Sequence, residues 1–130
     1  MSKKGSHEER QVVKICQEHG YASIRVPASG ARTRDDKPDV IAGNGKYYFA
    51  IEVKSSKKDY IYIRHEQIEE LIRFSNKFGA VPLVCAKFTR EPYSVFPIRS
   101  LEMTPSGKYK IHRKDVEKHI SLQEYLKLKE

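Results

Sequence analysis

The sequence predicts an α/β protein: a mixed central β-sheet flanked by helices. Three observations carry this. Two segments, 6–20 and 64–79, hold apolar residues at helical spacing. "DVIAGN" and "KYYFAIEVK" read as two strands joined at Asn44-Gly45, a strong hairpin-turn signal. "VPLVCAKF" is an unbroken apolar run, the pattern of a strand covered on both faces.

The remaining elements follow in order. "SHEERQVVKICQEHG" opens with capping-box spacing between Ser6 and Glu9 and stops at Gly20. Its apolar stripe is Val12, Val13, Ile15 and Cys16. "YASIRVP" is a strand ended by Pro27, and "ASGARTRDDKP" is a small, polar and basic loop. "SSKKDYIYI" reads as a lysine-bearing connection that turns apolar again. The helix "RHEQIEELIRFSNKFG" places Ile68, Leu71, Ile72 and Phe78 at helical spacing and ends at Gly79. "YSVFPI" is a strand after the turn at Arg90-Glu91-Pro92, and "TPSG" is a turn before a short strand, "KYKIH". "SLQEYLKLKE" repeats the capping-box spacing, Ser121 to Glu124, and predicts a last short helix.

The chain has 130 residues, which suits one domain with a modest core. We expect a single domain over 1–130, with its core at about 5–100 and a less defined tail over 101–130. Charged residues make up 32% and apolar residues 38%, the balance of a globular chain rather than a disordered one. No apolar run is long enough to span a bilayer, and the basic start "MSKKGSHEER" is followed by no apolar signal segment, so we expect a cytoplasmic protein without membrane association. Cys16 and Cys85 lack partners at metal-ligand spacing and read as buried thiols. The five histidines form no catalytic arrangement, and Tyr47, Tyr48, Tyr60 and Tyr62 read as strand and core aromatics. A net charge of +8, spread along the whole chain, favours an anionic partner, with nucleic acid first among them.

Against this background "KPDVIAGNGKYYFAIEVKSS" stands out. Buried charges are usually paired or metal-bound, yet Asp39, Glu52 and Lys54 punctuate an apolar hairpin. Alternation puts Glu52 and Lys54 on one face of their strand, with Ile51 and Val53 on the other. Pairing through the Asn44-Gly45 turn brings Asp39 opposite Glu52 or Lys54. Two carboxylates beside an ammonium suit a hard divalent ion such as Mg²⁺. Such an ion polarises a phosphodiester and activates water, and the lysine can stabilise charge developing on the phosphate. Taken singly, Asp39 reads as a turn residue and the Glu-x-Lys pair as a solvated face.

The spacing of "PDV…IEVK", with twelve residues between Asp39 and Glu52, is similar to the PD-(D/E)xK nuclease signature. Together with "KKGSHEER", "RVPASG", "KPDVIAGNG", "AIEVKSSKKDYIYI" and "RFSNKFGAVPLVCAKF", the chain resembles the archaeal Holliday-junction resolvases. The resemblance implies a restriction-endonuclease-like fold. It implies a homodimeric, Mg²⁺-dependent endonuclease, with Mn²⁺ able to substitute, that nicks four-way junction DNA symmetrically in recombination and repair. Hydrolysis would leave a 5′-phosphate and a 3′-hydroxyl. Asp39, Glu52 and Lys54 take the catalytic positions, with Asp39 and Glu52 as metal ligands. A first-helix glutamate joins them as catalytic residue and metal ligand: Glu9, followed by Arg10, is preferred for its place nearer the Val12, Val13, Cys16 stripe, and the adjacent Glu8 stays open as its competitor. Ser29 matches a functional loop serine and Arg25 an arginine close to the site. Arg10, Arg25, Arg32 and Arg34, with Lys3, Lys4, Lys57 and Lys58, form the expected DNA surface. Phe74 and Phe78, four apart on one helical face, match the family's dimer contact. Two rivals stay open: a restriction-like or repair nuclease for another DNA structure, and a non-catalytic DNA-binding module of the same fold. Protein partners in recombination or replication are not identifiable from the sequence.

Overall fold

A computed structural model of the chain describes residues 6–27 and 37–129. The elements run α1 (Ser6–Glu18), β1 (Ala22–Arg25), β2 (Val40–Gly43), β3 (Tyr48–Ser56), β4 (Tyr60–Arg64), α2 (His65–Phe78), β5 (Val81–Phe88), β6 (Ser94–Pro97), β7 (Glu102–Met103), β8 (Lys108–His112) and α3 (Leu122–Leu128). The central sheet has the order β1-β2-β3-β5-β6. Only β3 and β5 run parallel, so the sheet is mixed as the sequence predicts.

Both faces of the sheet are covered, and each core has its own residues. On one face α1 and α3 pack Val12, Ile15, Cys16, Leu122 and Leu126 against Val40, Phe49, Ile51, Val53, Leu83 and Cys85. On the other, Ile68 of α2 and Ile61, Ile63 and Ile111 of a second sheet pack on Val84, Ala86, Phe88 and Phe96. The alternation along β5, with Leu83 and Cys85 on one side and Val84 and Ala86 on the other, explains its unbroken apolar sequence. Cys16 and Cys85 are buried free thiols.

Turn chemistry fixes the hairpin register. Asn44 Oδ1 accepts the Lys46 and Tyr47 amides at 2.8 and 2.6 Å, and Gly45 takes φ +88°, which most side chains resist. The ladder then pairs Gly43 with Tyr48 and Val40 with Ile51. At the end of α2, Gly79 adopts φ 87° and its amide returns to the Ser75 carbonyl.

One sequence reading needs correction. The segment 55–63 is not a connection: Ser55 and Ser56 complete β3, and Tyr60–Arg64 is a strand, β4, in a second sheet ordered β4-β8-β7. Its strict alternation of exposed and buried residues is strand-like, but the lysine-rich approach obscured it. The strand β7 is only two residues long and gave no sequence pattern. Ser121 caps α3 through the Glu124 amide while Glu124 returns to the Ser121 amide, and the helix packs beside α1 on the same face of the sheet.

Leu122 and Leu126 are both 0% exposed. Leu126→Ala should therefore destabilise the whole protein by about 2–5 kcal/mol, read as a lower midpoint in urea unfolding. A midpoint equal to wild type would make α3 an appendage.

Candidate active site

The site begins with the hairpin. The β2–β3 ladder ends where Val40 pairs with Ile51, which leaves Asp39 at the open end of the hairpin, beside the Ile51–Val53 segment of β3. The Asp39 amide donates to the Ile51 carbonyl at 3.0 Å, and Asp39 Oδ2 accepts the Val53 amide at 2.8 Å. Val40, Ile51 and Val53 point to the α1 face. Asp39, Glu52 and Lys54 thus share the α2 face, with Val84 and Ala86 beside Glu52 and Lys54 on β5.

Glu52 is 7% exposed, an unusual place for a carboxylate. Burial, and then the charge of Asp39, push its pKa up to about 8, against the pull of Lys54. Burial pushes Asp39 up to about 6, while the Val53 amide works in the opposite direction and Glu9 adds to the rise. Lys54 Nζ lies 3.7 Å from Glu52 Oε2. Gln67, in the first turn of α2, completes the group: its Oε1 accepts from Lys54 Nζ at 3.3 Å and its Nε2 donates to Glu52 Oε2 at 3.5 Å. Sequence reading missed Gln67. Its one sequence signal, a polar first turn in "RHEQIEEL", looks like an ordinary solvated helix start.

Glu9 approaches from the α1 side. Its Oε1 accepts Arg25 Nε at 2.7 Å, and Arg25 Nη2 reaches Ser6 Oγ at 3.0 Å. Ser6 is the first residue of α1 here, and its hydroxyl serves Arg25. The charge of Glu9 acts on both Asp39 and Glu52, whereas that of Glu8 acts on Tyr93. Arg10 is exposed on α1, and Lys57 and Lys58 are exposed in the turn before β4. Phe74 and Phe78 stack with centroids 5.2 Å apart, the first half-buried and the second 54% exposed. Ser29, Arg32, Arg34, Lys3 and Lys4 lie outside the described residues.

A divalent cation fits the donor set. The buried Glu52 and the half-buried Asp39 each raise the other's proton affinity, and a hard cation would supply the positive charge that lets both ionise. Among the described residues no three His, Cys, Asp or Glu side chains close into a metal cluster. Asp39 and Glu52 would hold the ion, while Arg25 occupies Glu9 Oε1.

A parallel pair inside a mixed sheet, flanked by helices and carrying an Asp, a Glu and a Lys on one face, defines a nuclease of restriction-endonuclease-like fold. The family described as archaeal Holliday junction resolvase (hjc) matches residues 1–130. The chain is 38% identical over 104 residues to the crossover junction endodeoxyribonuclease Hjc of Archaeoglobus fulgidus, covering 80% of this chain and 76% of that protein. It is 34% identical over 125 residues to the Sulfurisphaera tokodaii protein of the same name, covering 95% and 86%. The 1.6 Å structure of Archaeoglobus fulgidus Hjc, a Holliday junction resolvase from an archaeal hyperthermophile, superposes with a TM-score of 0.86 at 33% identity, covering 94% of this chain and 99% of that one. The chain belongs to the archaeal Holliday junction resolvase family.

The raised carboxylates predict a pH dependence. A carboxyl whose folded pKa lies above its unfolded value binds its proton more tightly when folded. The metal-free protein is therefore most stabilised below the unfolded values and loses that contribution as pH rises from about 4 to about 8. Thermal melting in a chelator should give a Tm that falls across this window, and Glu52→Gln should flatten the fall. A wild-type Tm that rises with pH there would contradict the burial of the pair.

Proposed function

We propose that this protein is a structure-selective endodeoxyribonuclease that resolves four-way DNA junctions by paired, symmetric, Mg²⁺-dependent hydrolysis. It acts as a homodimer in the cytoplasm, in recombination and repair. The single observation that carries this reading is Asp39 beside the buried Glu52, with Lys54 at hand, in a chain of the resolvase family. Mn²⁺ would serve the same oxygen ligands.

A bound divalent cation would supply Lewis acidity at the phosphate and activate water. Asp39 and Glu52 would hold it, with Glu52 buried among the strands. Lys54 directs Nζ at the attacking water and the phosphate oxygens, where negative charge grows. Gln67 fixes that ammonium by accepting one of its hydrogens. The water oxygen bonds to phosphorus, the bond from phosphorus to the 3′ oxygen breaks, and that oxygen leaves with a proton. Glu9 and Arg25 form an ion pair at the rim, so Arg25 is placed to contact a phosphate while its partner holds it. Arg10, Lys57 and Lys58 extend the cationic surround; Arg32, Arg34, Lys3 and Lys4 are further DNA contacts and Ser29 a further catalytic residue in this reading, all five outside the described residues.

The dimer reading rests on an uncovered apolar face. Phe78 lines a cavity of about 340 Å³ with Ala22, Ile24, Ile41, Gly43 and Tyr48. Ile24 and Val81 are 57% and 48% exposed beside it. A two-fold partner on this face would cover all of them through one isologous contact.

Asp39→Asn and Glu52→Gln should each abolish cleavage of a labelled four-way junction in Mg²⁺ while leaving its binding intact or tighter. Linear duplex, run alongside, should be cut poorly by wild type. Normal junction cleavage by either variant would remove the pair from catalysis, and equal cleavage of the duplex would favour a nuclease for another DNA structure.

Phe74→Ala combined with Phe78→Ala should yield a folded monomer by sedimentation that has lost paired nicking. Retention of the dimer would move the interface elsewhere. An unfolded double variant would assign both rings to the monomer's own core, and Phe78→Ala alone, which removes a half-exposed ring, would then still be folded and dimeric.

A further inference from the structure

The second sheet carries a surface that the hydrolytic site does not use. Its strands β4 and β8 pair Tyr60 with His112, Tyr62 with Lys110, and Arg64 with Lys108. Between these positions Ile61, Ile63 and Ile111 turn inward and are buried. Alternation therefore gathers two tyrosines, one arginine, two lysines and one histidine on a single outward face. Tyr60 and Tyr62 are 40% and 53% exposed, contrary to their sequence reading as core aromatics. Their rings lie nearly parallel, 25° apart, with centroids 6.1 Å from each other. The His112 ring meets Tyr60 edge-on at 4.5 Å, and Lys110 Nζ stands 4.8 Å from the Tyr60 centroid. The tyrosine planes are thus held in place by cationic and aromatic neighbours rather than left to rotate freely.

The charge balance of this face is lopsided. Glu102 on β7, opposite Lys110, is the one acid at a paired position of the sheet. Asp59, just before β4, is engaged by Arg113 at 3.1 Å. Asp115 accepts the His112 amide at 2.8 Å. Lys57 and Lys58 continue the cationic strip at the start of β4, and Arg64 ends it immediately before α2, whose Gln67 touches both Glu52 and Lys54.

Aromatic planes bordered by cations suit a strand of nucleic acid whose bases are unpaired. Base faces stack on the rings while phosphates meet the lysines and arginine. A fully paired duplex hides its base faces and offers such a surface only its backbone. An acidic peptide would use the cations but leave the ring planes idle.

We propose that the outer face of β4 and β8 is a second DNA-binding surface that captures unpaired single-stranded DNA beside the active site by stacking bases on Tyr60 and Tyr62. It binds without cutting, so it can be measured apart from hydrolysis. The chain has no tryptophan and eight tyrosines, so quenching by bound DNA is assigned to Tyr60 and Tyr62 by the part of it that the leucine double variant loses.

The test uses the full-length Asp39→Asn protein in EDTA, where no cleavage competes. The probes are a short fluorescent oligothymidylate and a fully paired linear duplex. Oligothymidylate should bind and quench tyrosine emission. Tyr60→Leu with Tyr62→Leu, which keeps apolar bulk and removes both ring faces, should weaken oligothymidylate binding about tenfold. Duplex affinity and Tm should stay unchanged. Lys110→Gln alone should weaken the oligothymidylate complex and flatten its salt dependence. Unchanged oligothymidylate affinity in either the leucine double variant or the glutamine variant would overturn the proposal. So would an equal loss for duplex, which would make the face a general backbone contact. Displacement of oligothymidylate by polyglutamate at equal charge would also overturn it, by marking a surface for any polyanion. If the double variant fails to fold, Tyr62→Leu alone decides the matter by the same readings.

Discussion

The register of one hairpin governs the active site. Asn44 and Gly45 set the turn, the turn sets Val40 against Ile51, and that pairing forces Asp39 and Glu52 into adjacent positions on one face. A slip of β3 by one residue would send Glu52 and Lys54 to the α1 face, into Val12, Ile15 and Cys16, and away from Asp39. The apolar residues of both strands resist that slip, because each has a buried place on its proper side. The site is therefore held by the hydrophobic pattern around it, not by attraction among its own charges, which repel.

That repulsion is the functional content of the arrangement. Two carboxylates in a dry setting hold protons at pH values where exposed ones would not. Lys54 offsets part of this, but at 3.7 Å from Glu52 and shared with Gln67 it does not neutralise the pair. A cation of charge two would complete the balance, and protonation would compete with it. Electrostatics thus ties metal affinity, pH and stability to the same two residues.

Much of this was legible in the sequence because it depends on local rules. The hairpin, the two-sided β5, the glycine stop after Phe78 and the cap of α3 each follow from turn chemistry or periodicity over a few residues. The acid pair was legible because charges in an apolar hairpin demand a reason. Gln67 was not, since its role arises only when α2 lies across β3, and nothing within α2 records that contact. The strand β4 was hidden by its lysine-rich approach, and Tyr60 and Tyr62 were misread as core because a strand's pattern does not say which of its faces is inward. The partner strand β8 decides that, nearly fifty residues away.

The helix α2 links the two ends of the proposed assembly. Gln67, near its start, touches the acid pair, while Phe78, at its end, lines the apolar cavity with Tyr48 and Gly45 at the hairpin tip. The helix therefore lies along β3 with its first turn at the chemistry and its last at the uncovered face. Eleven residues of α-helix separate these points by about 16 Å. Ile68 and Leu71, both buried between them, prevent the helix from sliding. Two copies joined at the Phe78 face would each hold their carboxylates at this fixed offset from the two-fold axis. The spacing of paired cuts would then be set by a rigid helix rather than by a loop. Substitutions within α2 that preserve Gln67 and Phe78 but loosen Ile68 should blur the coordination of the two nicks before they slow either one.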